Sequence, residues 1–189
     1  MSLRAFDGWP ESLISTAVDG VAVTAAAATT LLPPAGLFTL PQNFFSAPGK
    51  KLQIKASGRA TTVATTPGTF RFDVRFGGTI VFDSLAIALV VTNAYTNVGW
   101  WLDIELTSRL IGAVGNCIGQ GTFTSPNVLG SANVAMPIGG VTAMLPWNSA
   151  PAVGGNFITT AAQQVDLFFT QTAATGSFQL HQFELIAKN

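Results

Sequence analysis

Between residues 68 and 76, apolar and polar side chains change places at every step. Phe70, Phe72, Val74 and Phe76 fall on one parity; Arg71, Asp73 and Arg75 fall on the other. Successive side chains of a β-strand point to opposite faces, whereas a helix brings together residues three or four apart. This spacing therefore makes one apolar and one polar face as a strand, and neither as a helix. The rhythm recurs. Leu52, Ile54, Ala56, Gly58 and Ala60 oppose Lys51, Gln53, Lys55, Ser57 and Arg59. Over 98–111, Trp100, Leu102, Ile104 and Leu106 point to a core, while Trp101, Asp103, Glu105, Thr107 and Arg109 point away from it. Over 163–171, Val165, Leu167 and Phe169 oppose Asp166, Phe168 and Thr170.

Turn chemistry separates these strands. Thr65, Thr66, Pro67 and Gly68 form a turn, and Gly77-Gly78 closes a two-residue hairpin onto a returning strand at 79–83. Residues 112–116 turn the chain into another strand at 117–124. Shorter β-like pieces lie at 13–16, 21–24 and 29–32, before Pro33-Pro34 and a piece at 36–40. The four alanines 25–28 lack a cap and run into two threonines, so they read as strand or loop despite their helix propensity. Residues 125–155, rich in Pro, Gly and Asn, combine short strands with long surface loops. The last strand slips in phase: Phe178 and Leu180 share one parity, Phe183 and Leu185 the other. One extra residue near His181-Gln182, a β-bulge, restores the register.

Eight or more strands at this spacing predict an all-β fold, an antiparallel β-sandwich of the jelly-roll type. The expected organisation is an N-terminal arm at 1–12 followed by a single jelly-roll domain at 13–189. Only 10% of the 189 residues are charged while 48% are apolar, well below the charge density of an ordinary soluble surface. Part of the exterior is therefore expected to be covered by other subunits.

The same numbers exclude several classes. Nine basic residues balance nine acidic ones, and apart from Lys50, Lys51, Lys55 and Arg59 they are scattered, so no nucleic-acid partner is expected. Those four read as partly solvated charges at a sheet edge. One cysteine, Cys117, allows no internal disulfide or cysteine metal site, and one histidine, His181, makes no zinc cluster. No cofactor is expected. The longest apolar run, 85–91, is too short to cross a bilayer, and the first ten residues lack a signal-peptide pattern.

Chemistry-bearing groups are few. Asp103 and Glu105 share a strand face, as a carboxylate pair for acid–base work would, but Arg71 and Arg75 have the same spacing nearby and point to cross-strand ion pairing. Cys117 has no base among its neighbours, and a Cys117–His181 dyad would rest on a single residue of each kind; a buried thiol is the simpler reading. None of the Gly-Gly pairs has a phosphate-loop spacing. Together these points predict a module without catalytic activity. The remaining candidates are aromatics on tails, loops or outward parities: Phe6, Trp9, Tyr95, Trp101 and Trp147. Such rings anchor subunit interfaces or stack on sugars, and the low charge favours the interface.

Certain segments carry a family resemblance. Residues 48–59 (Pro-Gly-Lys-Lys-Leu-Gln-Ile-Lys-Ala-Ser-Gly-Arg) and 66–78 (Thr-Pro-Gly-Thr-Phe-Arg-Phe-Asp-Val-Arg-Phe-Gly-Gly) resemble small virion proteins of tailed bacteriophages. So do 101–109, 112–116 and 119–123. The resemblance runs from about residue 13 to the end and is weakest over 125–160. It implies a jelly-roll structural protein such as a capsid cement (decoration) protein, often trimeric, on the outer surface of the phage head and partnered with the major capsid protein. The alternative it leaves open is a tail-fibre or spike module that binds host receptor glycans near Tyr95 and Trp147. It implies no catalytic residues.

Overall fold

The computed structural model describes residues 10–16, 18–130 and 140–188. Its strands are β1 (Glu11–Thr16), β2 (Thr29–Thr30), β3 (Phe38–Leu40), β4 (Lys51–Thr62), β5 (Thr69–Phe76), β6 (Thr79–Asp83), β7 (Ile87–Ala88), β8 (Tyr95–Leu110), β9 (Asn116–Leu129), β10 (Gly140–Leu145), β11 (Gln163–Gln171) and β12 (Ser177–Lys188). They form two antiparallel sheets. The larger runs β1-β12-β4-β8-β9-β10; the smaller runs β2-β11-β5-β6, with β3 also on β11 and β7 on β5.

The pairing is nested. β1 pairs with β12, β2 and β3 with β11, β4 with β8, and β5 with β6. The chain thus behaves as one long hairpin whose arms pair from the ends inward and wrap across two sheets, which is the jelly-roll arrangement. The β9–β10 hairpin is an insertion between β8 and β11 that widens the larger sheet by two strands.

The predicted inward parities hold. Phe70, Phe72, Val74 and Phe76 of β5, Leu102, Ile104 and Leu106 of β8, and Val165, Leu167 and Phe169 of β11 are all buried between the sheets. Phe123, Phe178 and Trp100 close over them from the larger sheet. The two-residue turn between β5 and β6 uses Gly77 at φ +59°, where a side chain is disfavoured. The expected bulge is present: the β12–β4 register shifts between Leu180 and Gln182, which leaves His181 as the extra residue.

Three expectations change. β1 begins at Glu11, inside the segment expected to be an arm; residues 1–9 lie outside the described residues. The piece at 21–24 makes only a single bridge, Val23 to Phe178, in place of a strand. The basic strand β4 is central in its sheet, between β12 and β8, so its charges are not edge charges. Three of the four basic side chains have partners in place: Lys51 with Glu105, Arg59 with the Gln179 side chain, and neighbouring Lys50 over the Phe44 ring.

Candidate functional site

The outer face of the larger sheet is laid out by its ladders. Gln182, Ser57, Trp101, Thr124 and Thr142 form one cross-strand row through β12, β4, β8, β9 and β10. Glu184, Lys55, Asp103, Thr122 and Met144 form the next. In the first row Trp101 is the sole aromatic, 46% exposed, and rises beside the short Ser57. Between Trp101 and the β12 side chains lies a concavity of about 520 Å³, whose lining includes Lys55, Ser57, His181, Gln182 and Glu184. The Ser57 hydroxyl donates to Gln182 Oε1 at 3.0 Å, and His181 Nδ1 sits 2.8 Å from Asp19 Oδ1. A second, shallower hollow on the far side of Asp103 runs from Gln53 to the exposed Met144.

Of the three singled-out aromatics among the described residues, Trp101 alone stands exposed on this face. Tyr95 and Trp147 are half-buried and packed against the core, which corrects their expected exposure. Phe6 and Trp9 lie outside the described residues. Parity predicted Trp101 correctly because it sits within a regular strand. Tyr95, at the very start of β8, and Trp147, in a loop, are placed by tertiary contacts that no local pattern encodes.

Of the two carboxylates of β8, Glu105 is ion-paired and Asp103 is hydrogen-bonded to a neutral amide, neither with the expected arginines. Glu105 binds Lys51 Nζ at 2.7 Å and Lys188 Nζ at 3.1 Å, and Asp103 accepts two contacts from Gln53 Nε2 at 2.7 and 3.0 Å. Arg71 and Arg75 are on the opposite sheet. The hydrogen bond from Lys51, with help from Lys188, holds the Glu105 carboxyl below its usual value against a smaller opposing effect of burial. A depressed carboxylate contributes stability that is present above its unfolded pKa and is lost as pH falls through the folded one. Because the three side chains are between about one-third and one-half exposed, solvent screening limits the effect to about 0–1 kcal/mol. Glu105→Gln is therefore expected to lower stability by less than about 1 kcal/mol at pH 7, with a smaller difference at about pH 3. Urea unfolding at the two pH values checks this.

Cys117 is fully buried between the sheets, and burial pushes its thiol up to about 12. His181 lies on the outer face three strands away, about 14 Å by strand spacing. The two cannot form a dyad.

The outer face of the smaller sheet is charged but self-contained. Asp73, predicted to face outward, does so yet is 0% exposed, because Phe168 lies opposite it and Arg71 and Arg75 fold over it. The Arg75 guanidinium stacks 3.7 Å from the Phe168 ring centroid, and Arg71 reaches Asp83 at 3.2 Å. The hydrogen bond to Asp73 holds Arg75 above its usual value. Burial raises the Asp166 carboxyl, with the Thr30 hydroxyl donating to it and opposing the shift. Every charge here has a partner within the sheet.

A third surface was not legible in the sequence. The loop after β10 runs back along the start of β9, with bridges from Ile118 to Val153 and from Gly115 to Phe157. Gly112 and Thr159 clamp its end: the Gly112 amide donates to Thr159 Oγ1 at 2.8 Å, and the Thr159 amide donates to the Gly112 carbonyl at 3.0 Å. This gathers Leu110, Ile111, Val114, Val153 and Ile158, all exposed, at one end of the sandwich. The signal would have required pairing residue 115 with 157, a bridge that alternation within either segment cannot reveal.

No family model matches the chain, and no curated protein matches it. Among solved structures it is similar to the CBM2 module of the evolved Dit of Lactobacillus casei BL23 phage J-1. That similarity has 13% identity, covers 81% of this chain and 68% of that one, and has a TM-score of 0.34.

Proposed function

We propose that the protein is a virion structural protein of a tailed bacteriophage, a capsid cement that binds the outer surface of the head and bridges neighbouring major capsid subunits. The observation that carries the reading is the aliphatic end formed by Leu110, Ile111, Val114, Val153 and Ile158. Exposed aliphatic groups brought to neighbouring segments of one end, on a chain with so few charges, are the expected mark of a protein contact. The jelly-roll sandwich and the resemblance of its strand and turn segments to phage virion proteins support the same reading. In this proposal the protein is a homotrimer with no catalytic role and no nucleic-acid or membrane partner. Three copies of one modest contact give avidity without a strong single site. The alternative, a tail module that binds glycans through Tyr95 and Trp147, loses its footing there, since both rings pack on the core.

The test adds purified protein to particles that lack it. Wild type is expected to bind and to raise the temperature at which the particles rupture. The double substitution Val114→Asp with Ile158→Asp places two charges in the contact, and binding is expected to weaken by at least about a hundredfold. Particles that take up none of the wild-type protein would rule the reading out.

A further inference from the structure

We propose that the concavity beside Trp101 is a binding site for a neutral saccharide, with one sugar ring stacked on the indole and its hydroxyls met by Lys55, Ser57, His181, Gln182 and Glu184. This goes beyond the capsid reading and stands on a different surface. The site is built by four neighbouring strands, with Ser15 and Thr16 of β1 beside β12. Trp101 on β8 and the side chains of β12 stand on either side of β4, where Ser57 is opposite both Gln182 and Trp101. Two strand spacings separate those walls, about 10 Å, and the hollow of about 520 Å³ lies within the range of small-ligand pockets. The β12 bulge adds to it: as the extra residue, His181 is carried on the rim, where Asp19 fixes its ring.

The lining chemistry selects the ligand. Seven of the ten lining residues are polar, and they supply both donors and acceptors. Lys55 and Glu184 face each other across the ladder with opposite charges, so the floor carries no net charge to recruit an ion. Among the described residues neither is in an ion pair, which leaves both heads available to hydroxyls. A flat hydrocarbon or aromatic ligand would cover Trp101 but leave the polar row unpaired, a costly arrangement once water is excluded. A protein hot spot would surround the indole with further apolar contacts, and here its row is Ser57, Gln182, Thr124 and Thr142. A pyranose fits both demands, with C–H groups on one face and hydroxyls around its edge.

The experiment uses the full chain and a panel of neutral oligosaccharides: disaccharide to tetrasaccharide fragments of glucan, galactan, mannan and N-acetylglucosamine polymers. Binding is read by saturation-transfer NMR and calorimetry. At least one fragment is expected to bind with a Kd on the order of 1 mM or tighter. Trp101→Ala, at an exposed position, is expected to keep the unfolding midpoint and weaken that binding by at least about tenfold. The pair Lys55→Ala with Gln182→Ala is the second variant and is expected to weaken it similarly if the alanine at 101 disturbs folding. No binding by any fragment at about 10 mM, or less than about a tenfold loss in a folded variant, overturns the proposal. Self-association that depends on Trp101 with no sugar bound assigns the face to a protein partner and overturns it too. Capsid binding is not a readout here, so this proposal and the cement reading fail separately.

Discussion

Phe72→Ala is expected to lower the unfolding free energy by about 3–5 kcal/mol, a large part of the stability of an ordinary domain. Phe72 is the aromatic that meets both sheets most fully. Phe70 and Phe169 of its own sheet lie with ring centroids 5.6 Å away. From the facing sheet, Phe123 is at 5.6 Å, Trp100 at 5.7 Å and Phe178 at 6.3 Å. Truncation leaves a void lined by five rings drawn from five strands. Rigid aromatic planes held by two ladders relax poorly into such a space, so the loss belongs near the top of the range. Equilibrium denaturation of the variant tests it, with Ile80→Ala on β6 as the comparison, since Ile80 is only half-buried and its loss is expected to cost less. A Phe72→Ala midpoint close to that of Ile80→Ala would mean that the two sheets are not joined through this cluster.

The same cluster explains how much of the fold was legible in advance. Alternation marks the side of a strand that is buried, so the inward parities of β4, β5, β8 and β11 followed from the sequence, and the parity slip at His181 located the bulge. Alternation says nothing about which sheet a strand joins. Arg71 and Arg75 were therefore matched with Asp103 and Glu105, although β5 and β8 sit in different sheets and each set finds partners at home. The burial of Asp73 was hidden for a related reason: its cover comes from Phe168, ninety-five positions along the chain.

For the candidate sites the division is similar. Trp101 was visible because a central strand fixes its direction. The hollow beside it was not, since it depends on Ser57 being flanked by β8 and β12, neither adjacent to it in sequence. Tyr95 and Trp147 were misjudged because the first lies beyond a register shift in the β4–β8 ladder and the second in a loop, where an aromatic folds toward whatever apolar surface is within reach. The aliphatic end was missed because, apart from Leu110 at the end of β8, it is assembled from two loops, and loops carry no period.

Gly58→Ala is the other substitution with a large expected effect, and here the sign itself is informative. In an unhindered strand, exchanging Gly for Ala removes backbone freedom from the unfolded chain and raises stability by about 0.4–1 kcal/mol. At position 58 a Cβ would lie 1.9 Å from the Gln179 carbonyl oxygen and 2.8 Å from the Trp100 ring. The oxygen belongs to backbone and cannot rotate away. Gly58 pairs with Leu180 at the start of the bulge, where the β12 backbone comes down onto β4. Making room for a methyl group therefore means parting two central strands or flattening the bulge, and the expected outcome is a loss of about 3 kcal/mol or more. Ser57→Ala, one residue away but pointing outward, removes only a hydroxyl that donates to Gln182 at the surface, and is expected to cost less than about 1 kcal/mol. Any displacement of β12 at this point also shifts Gln182 relative to Trp101. Gly58→Ala should thus widen the hollow as well as weaken the sandwich, and the indole environment of Trp101, followed by NMR, should change more in the alanine variant at 58 than in the one at 57, which removes only a neighbouring hydroxyl. A Gly58→Ala protein as stable as the parent would mean that β4 and β12 do not approach this closely, and both the bulge and the site it shapes would have to be redrawn.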